Sequence, residues 1–404
     1  MSETQATAIG SASRRSAVLG AMFLMATSAI GPGFITQTAA FTAQLGAAFA
    51  FAILASILVD IAVQLNVWRV IGVSGQRGHE LGNKVLPGAG WVLAALVVIG
   101  GLVFNIGNVA GTGLGFDAMI GLDARIGGLI SAVIAVAIFL SRKAGVALDR
   151  IVVVLGILMI LMTAYVAIVS QPPVGDALRS FVLPDTVDFL VITTLIGGTV
   201  GGYITYAGAH RLLDSGMTGP EHANDIAKSS VIGIIVTGLM RVVLFLAVLG
   251  VVAGGVALAK DNPAASAFEA AAGQVGLRLF GIILWAAAIT SVIGAAYTSV
   301  SFLTRSTTSE RTRNLLTVGF IALSTVIYLL IGTAPATLLV FAGAFNGLIL
   351  PIGFTVVLWV AWRRRDLLGG YKYPAWLLGI GVVAWLLTLY MGYSSLSGLG
   401  KLFA

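Results

Sequence analysis

Long apolar runs with few charges constrain this chain more than any other feature of its sequence. A helix of about 20 apolar residues crosses the roughly 30 Å hydrocarbon core of a membrane. The runs do not alternate apolar and polar residues, as the strands of a membrane β-barrel do. Within lipid, every backbone polar group must be hydrogen-bonded inside the segment, which a helix achieves. The sequence therefore predicts an all-α polytopic membrane protein.

The apolar runs predict about eleven transmembrane helices joined by short loops. We place them, to within a few residues, at about 17–45, 47–70, 90–116, 124–141, 147–170, 188–212, 228–254, 274–304, 314–332, 336–362 and 374–395. Charged residues make up 10% of the chain, against about 25% in a soluble domain. We therefore expect one transmembrane domain over 1–404, with a first repeat at about 17–170, a second at about 188–362, and an extra helix at about 374–395.

The basic residues of the loops predict the orientation in the membrane. If the N-terminus is placed in the cytoplasm, the inside segments hold most of the lysines and arginines, including Arg14, Arg15 and the run 363–365. Cytoplasmic loops carry such an excess in membrane proteins. We predict a multi-pass integral protein of a bacterial inner or plasma membrane, with a cytoplasmic N-terminus and an outside C-terminus.

Composition argues against several classes of function. The chain has no cysteine, and its three histidines show no HExxH spacing. No acid/base pair or metal cluster recurs at helical spacing, so we expect neither an enzyme nor a cofactor. The net charge of +7 comes from scattered residues, which favours lipid headgroups over nucleic acid as the partner. The oligomeric state stays open, and a monomer is compatible with the sequence.

Two of the predicted helices contain glycine-rich breaks. The first span holds Gly31-Pro32-Gly33-Phe34, where proline removes a backbone donor and glycine removes side-chain restraint. The sixth span holds the run 197–203, with glycine at 197, 198, 201 and 202. Each glycine in a helix interior costs about 1 kcal/mol relative to alanine. Taken singly, the runs also fit a simple kink and close helix packing.

The positions of the breaks add to their meaning. They fall in the first and sixth spans, which begin two halves of about five helices each. An odd number of spans inserts the second half upside down relative to the first. Inverted repeats with discontinuous helices at the bilayer midplane are typical of secondary transporters. A bound substrate can satisfy the backbone groups that such breaks release.

Several motifs resemble those of the NRAMP metal transporters. Gly31-Pro32-Gly33, followed by Thr36-Gln37-Thr38 and by Val70–Gly75, resembles their first two helices, and 195–200 resembles the run into their second broken helix. Leu350-Pro351 and Leu279-Phe280 fit the same pattern. The resemblance covers nearly the whole chain in span count and loop placement. It implies a LeuT-type fold with a 5+5 inverted repeat, broken helices 1 and 6, and proton- or ion-linked solute movement.

The metal-ligand motifs of that family are replaced here. NRAMP proteins carry Asp-Pro-Gly-Asn in the first span and Met-Pro-His in the sixth. The corresponding runs are Gly31–Phe34 and Gly201-Gly202-Tyr203, and the glutamine of the tenth span falls near Gly343, one turn before Asn346. Thioether ligands favour soft transition metals, and none is left. We therefore do not expect the manganese or iron activity of the family.

The candidate substrate site consists of uncharged residues near the breaks. They are Gly31, Gly33, Phe34, Gln37, Gly201, Gly202, Tyr203, Thr205 and Asn346. Such groups suit a divalent cation that keeps its waters, such as Mg²⁺, and the family likeness favours this cargo. The alternatives are a proton- or sodium-coupled transporter of a small organic solute, such as an amino acid held by its carboxylate on free backbone N–H groups, and a non-transporting sensor on the same fold. The ligands of any metal stay unknown.

Two ionisable residues inside spans are candidates for coupling. Asp60 lies near the middle of the second span, where an acid costs about 2.5–3.5 kcal/mol on insertion scales. This depth makes it a candidate proton or cation relay. Arg241 of the seventh span is its candidate partner, and a structural salt bridge between the two is the alternative.

The remaining polar residues of the spans predict packing rather than chemistry. Gln64, Asn105 and Asn108 are expected to form interhelical hydrogen bonds. His210 ends the sixth span next to Arg211 and is expected at a solvated cytoplasmic edge. The alanine-rich segment 263–276 predicts a short outside helix.

Overall fold

The structure is a computed structural model that describes residues 29–304 and 308–399, together with Gly20, Met22 and Met25; the side chains of 142–153 and 397–399 are excepted. Regular structure in this part of the chain is helical, without strands. The longer helices are α1 (Pro32–Leu45), α2 (Phe49–Ser74), α3 (Gly78–Val85), α4 (Ala89–Ile120), α5 (Ala124–Leu140), α6 (Arg142–Val169), α7 (Val174–Ser180), α8 (Phe189–Thr199), α9 (Ile204–Asp214), α10 (Ala223–Ala253), α11 (Pro263–Leu303), α12 (Glu310–Ile331), α13 (Pro335–Arg363) and α14 (Ala375–Leu399).

The predicted number of about eleven spans is not confirmed. The described residues contain 8 helical segments long and apolar enough to cross a membrane, or up to 9 if the bent pair α6–α7 is one span. One segment of this count, Pro32–Ser74, has 43 residues, about twice what one crossing needs. It divides at Gly46, where φ is 56°. α5 has only 17 residues, so its length alone does not mark it as a span.

The outer faces of the helices carry large apolar side chains that are exposed in the described part of the chain. Leu330 is 79% exposed and Ile168 is 76% exposed. Apolar surface on this scale is costly in water and favourable in a bilayer. The chain is accordingly a multi-pass integral membrane protein. The orientation of its termini and the boundaries of the two repeats stay predictions.

Small residues let the helices approach one another at backbone distance. A Cβ added at Gly115 of α4 would lie 2.7 Å from the Trp285 backbone nitrogen, and one added at Gly281 of α11 would lie 2.6 Å from Met119 N. α8 and α13 meet in the same way, because a Cβ at Gly197 would lie 2.0 Å from Gly343 O. Such contacts are typical of helix pairs in membranes. They hold α8, which leads into the second break, directly against α13.

Polar residues tie several helices together as the sequence predicts. Gln64 Nε2 donates to Ser230 O at 2.9 Å, and Asn105 Nδ2 donates to Ser324 Oγ at 3.1 Å. Asn108 Nδ2 has no partner among the described residues, but the Asn108 side chain interacts with that of Tyr203, which lies between α8 and α9. The alanine-rich segment after Pro263 is the beginning of α11, which is interrupted at Gly273 (φ 62°, ψ −161°).

The prediction that His210 lies at a solvated edge is wrong. His210 is only 3% exposed, because α11 covers the end of α9. Its ring lies 4.8 Å from that of Phe302, and its Nδ1 is 3.1 Å from Ser301 Oγ. Arg77 closes the same corner by donating to Ser301 O at 2.7 Å and by pairing with Asp214 at 3.1 Å.

Candidate functional site

The first break lies at Gly31, where α1 begins inside the protein. Gly31 is extended (φ −91°, ψ −173°), Pro32 opens the helix, and no side chain caps it. The first turn contains no acidic residue. The first N–H groups of a helix have no partner within it, and they give its N-terminus a partial positive charge. The free N–H groups at the N-terminus of α1 therefore lie in the interior of the protein, and the first turn of the helix has no acidic side chain to pair with them.

The second break separates α8 from α9, as the glycine run predicts. α8 ends at Thr199 and α9 begins at Ile204. Between them Gly202 has φ 53°, a left-handed conformation that glycine adopts without strain. Val200 N and Gly201 N both donate to Ile196 O, at 2.9 and 3.2 Å. The second of these bonds spans five residues, so the last turn of α8 widens before the helix stops. Its last carbonyl groups are left without helical partners.

Gln37 joins the first break to α8 and α13. Its Nε2 donates to Leu339 O at 2.9 Å. Its amide lies between Gly198 and Gly343, where an added Cβ would come within 2.6 Å of Oε1 and 2.4 Å of Nε2, respectively. Gly33 is on the same side, with its Cβ position 3.5 Å from Gln37 Nε2. Oε1 of Gln37 is buried and has no partner among the described residues.

Asn346 lies against the second break. Its Nδ2 donates to Gly100 O at 3.0 Å and to Ala342 O at 2.9 Å. Its Oδ1 is buried without a described donor and lies 1.8 Å from where a Cβ on Gly202 would be. The neighbouring Gly201 is also confined, since its Cβ would lie 3.0 Å from Asn346 O.

Tyr203 and Thr205 contact helices other than the ones that surround the Gln37 amide. The Tyr203 ring meets that of Phe104 on α4 edge-on, at 5.6 Å between centroids. The carbonyl of Thr205 accepts from Trp68 Nε1 on α2 at 2.8 Å. The Thr205 hydroxyl is buried and has no described partner. No hydrogen bond in the described part of the chain joins either residue to α1.

Arg241 of α10 brings the ends of both broken helices together. Its Nη1 donates to Thr199 Oγ1, on the last residue of α8, at 3.1 Å. Its Cζ lies 4.3 Å from the ring centroid of Phe34, in the first turn of α1. The residue is 2% exposed, and its Nε and Nη2 have no partner among the described residues.

Asp60 lies in the same region but forms no direct salt bridge with Arg241. The ion pairs of the described residues do not include these two, although their charges attract each other and the Thr199 side chain lies beside the carboxylate. The Thr199 hydroxyl hydrogen goes to Leu195 O at 2.9 Å. Because a hydroxyl has one hydrogen, Asp60 Oδ1 is left without a donor. Asp60 is the only buried acid in the described part of the chain.

The donor set of the site does not form a conventional metal centre. No group of three or more His, Asp or Glu side chains in the described residues could hold a metal ion. The oxygens near the breaks belong to amides and hydroxyls. Dehydrated Mn²⁺ or Fe²⁺ prefers carboxylate, imidazole or sulfur ligands, which this site does not offer as a cluster.

Two contributions to the site are missing from the predicted set of site residues. Thr199 is one of the polar residues near the breaks but is not in that set, yet it links Arg241 to the neighbourhood of Asp60. Its position at the last residue before a glycine-rich break was the available signal. Gly198 was seen only as part of that break, and its close approach to Gln37 depends on tertiary packing that no local pattern reveals.

Comparison with known proteins identifies the family. A family model described as "Natural resistance-associated macrophage protein-like" matches residues 22–397. The chain is a member of the Nramp family. As such it is a membrane transporter, not an enzyme, and the resemblance inferred from its motifs is confirmed.

Two relatives of this Nramp protein are similar over almost their whole length. The "Uncharacterized membrane protein YcsG" of Bacillus subtilis (strain 168) is 52% identical over 397 residues, 98% of each chain. An "Uncharacterized membrane protein" of Haemophilus influenzae is 52% identical over 383 residues, 95% of each chain. The two matches show similarity over nearly the whole of each chain. The names of these relatives do not state a substrate.

Solved structures of other transporters share the fold. The Eremococcus coleocola manganese transporter, in complex with an aromatic bis-isothiourea substituted compound, has a TM-score of 0.74 at 16% identity and covers 96% of this chain and 88% of its own. MhsT in complex with L-phenylalanine has a TM-score of 0.68 at 16% identity and covers 93% and 98%. The predicted LeuT-type architecture of this Nramp protein, with its broken helices, is thereby confirmed.

Proposed function

We propose that this Nramp-family member is a secondary transporter whose cargo binds between the N-terminus of α1 and the break from α8 to α9. The support is a convergence of buried polar atoms that lack partners among the described residues: Oε1 of Gln37, Oδ1 of Asn346, and Nε and Nη2 of Arg241. Leaving such an atom unpaired costs about 1–3 kcal/mol. A site that keeps several of them is prepared for a ligand.

Transport of a small organic solute is the function that this geometry supports best. The observation that carries it is Arg241, a buried cation beside both breaks with two unpartnered nitrogens. At an effective dielectric constant of about 20, a divalent ion about 6 Å from a guanidinium is repelled by about 5 kcal/mol. Asp60, the single buried acid of the described residues, could offset part of that repulsion but cannot form a ligand cluster alone.

A divalent cation held with its waters is the second candidate cargo. Membership of the Nramp family and the fold shared with a manganese transporter favour it. The amide oxygens of Gln37 and Asn346 could accept hydrogen bonds from the waters of an ion such as Mg²⁺, which releases its hydration shell reluctantly. This Mg-like specificity stays a prediction, as does the coupling ion, proton or sodium.

Reconstitution of the full chain in liposomes separates the two cargoes. Entry of Mg²⁺ and Mn²⁺ is followed with trapped indicators, and entry of pooled radiolabelled amino acids and C2–C6 organic acids by filtration, with and without a pH gradient. We expect saturable uptake of an organic solute and no saturable metal entry. Saturable Mg²⁺ entry with weak Mn²⁺ entry would establish the hydrated cation instead, and micromolar Mn²⁺ uptake would show that the lost ligands are dispensable.

A further inference from the structure

The two free nitrogens of Arg241 lie on one edge of its guanidinium. Nη1 is occupied by Thr199 Oγ1 at 3.1 Å, whereas Nε and Nη2 have no partner in the described part of the chain. The N–H bonds of Nε and Nη2 are parallel within the rigid planar fork of arginine. This edge is complementary to the two oxygens of a carboxylate, which it binds with two parallel hydrogen bonds.

The surroundings of Arg241 hold that edge in place. The Phe34 ring lies against the guanidinium, 4.3 Å from Cζ to the ring centroid, and fixes its plane through a cation–π contact. The Thr199 hydroxyl fixes its rotation. Phe34 belongs to the first turn of α1, so the helix N-terminus adds a second positive feature to the same place. A ligand that binds to both the guanidinium of Arg241 and the N-terminus of α1 is expected to be anionic.

Charge balance links this site to Asp60. The buried guanidinium and the buried carboxylate attract each other without direct contact, so their charges cancel when no cargo is bound. A bound carboxylate would leave one uncompensated negative charge in a buried region, which is strongly unfavourable. Protonation of Asp60 removes that excess.

We propose, on the basis of the transporter function above, that Nε and Nη2 of Arg241 bind the carboxylate of a small organic acid and that Asp60 takes up the proton that crosses with it. Cargo and proton then enter together, one for one, and the step moves no net charge. The Thr199 hydroxyl can donate to Leu195 O when Asp60 is protonated, and it can turn to donate to the carboxylate when Asp60 is ionised.

The charged surroundings of Asp60 are simple enough for this role. α10 presents Arg241 to it, and α8 presents the uncharged Thr199. Of the described charged residues, Arg241 is the one that acts on Asp60. Arg69, on the same helix, is nine residues further along, or roughly 13 Å along the helix axis, and donates to the Tyr371 hydroxyl at 3.0 Å. It is therefore a matched buried arginine outside the site.

The test uses proteoliposomes of the full chain with trapped pyranine and with a panel of probes. The panel contains the proteinogenic amino acids and C2–C6 hydroxy and oxo acids, each compared with its carboxamide. We expect at least one carboxylate to enter and to acidify the lumen by one proton per molecule. An imposed membrane potential is expected to affect this uptake only through charges that the probe carries in addition to its carboxylate. Its carboxamide is expected to enter at least about tenfold more slowly.

Three variants locate the effect. Arg241→Lys keeps the charge but loses the two-pronged edge, so we expect KM for the carboxylate to rise at least about tenfold. Asp60→Asn is expected to retain exchange of labelled for unlabelled cargo while it loses lumen acidification and pH-driven accumulation. Arg69→Lys is expected to leave both unchanged. Size-exclusion profiles and thermal unfolding show whether each variant is folded.

Each result has one reading. Equal uptake of acid and carboxamide would keep the organic-solute transporter and overturn the carboxylate site. Unchanged proton coupling in Asp60→Asn, or an unchanged KM in Arg241→Lys, would overturn the assigned roles. Entry of metal ions with no uptake from the panel would overturn both this inference and the proposed function.

Discussion

Gly202 offers a sharp test of how the second break is built. Its φ of 53° costs an alanine about 1–2 kcal/mol through backbone strain. A Cβ there would also lie 1.8 Å from Asn346 Oδ1, so the Asn346 side chain must move and lose its bonds to Gly100 O and Ala342 O. Two hydrogen bonds contribute about 0.5–1.5 kcal/mol each. We expect Gly202→Ala to lower the free energy of unfolding by about 2–5 kcal/mol.

Gly121→Ala is the matched control. Gly121 also has positive φ, 71°, and nothing lies within 4 Å of its Cβ position. Only the strain of about 1–2 kcal/mol applies there. The measurement is equilibrium unfolding of the purified variants in detergent. The double variant Gly202→Ala/Asn346→Ala is expected to be less destabilised than the sum of the two single variants, because the clash is removed. Equal losses for Gly202→Ala and Gly121→Ala would refute the role given to Asn346.

Three further predictions concern other parts of the fold. A Cβ at Gly347 would lie 2.3 Å from Thr193 O, so we expect Gly347→Ala to unfold more easily in detergent. Nothing lies within 4 Å of the Cβ position of Gly319 on α12, so Gly319→Ala is expected to gain up to about 1 kcal/mol in the free energy of unfolding. A loss of stability in both variants would contradict the packing argument. Gln37→Met keeps the length of the side chain but removes the amide, so initial cargo uptake is expected to fall at least about tenfold, about 1.4 kcal/mol. The lost hydrogen bond to Leu339 O is expected to lower the free energy of unfolding by no more than about 0.5–1.5 kcal/mol. Wild-type uptake rates would remove Gln37 from the site. Burial lowers the pKa of His79, so the unfolded chain binds a proton at this residue before the folded chain does as the pH falls below about 6.5. The free energy of unfolding is therefore expected to decrease from pH 7 to pH 5, and to decrease less in His79→Phe. Identical pH profiles for the two proteins would argue against this linkage.

Local chemistry predicted the breaks because their causes lie within a few residues. Pro32 with its flanking glycines, and the glycine run at 197–202, each weaken a helix whatever surrounds it. The structure accordingly starts α1 at Pro32 and ends α8 at Thr199. The number of spans was harder to predict, because Gly46 divides one long helical stretch and α5 is short. Length and hydropathy alone do not resolve such cases.

The contacts within the site could not be read from the sequence. Nearness to the breaks predicts Gln37 and Asn346 as site residues, but the glycines that confine their side chains come from other parts of the fold. Asp60 and Arg241 were paired by their charges, and the structure places Thr199 between them. The position of His210 in the sequence predicts a solvated edge, because nothing nearby in the sequence indicates that Phe302 covers its ring. Each of these facts depends on which helices become neighbours.

The glycine contact between α8 and α13 has a consequence for alternating access. Backbone atoms of the two helices touch at Gly197, Gly343 and Gly347, without flexible side chains between them to absorb a shift. Sliding or tilting one helix against the other would bring backbone into backbone, so we expect α8 and α13 to move as one rigid body. We then expect the backbone rotation that exposes the cargo to either face to occur at Gly202, which has no side chain to restrict it, with α9 moving relative to the pair formed by α8 and α13.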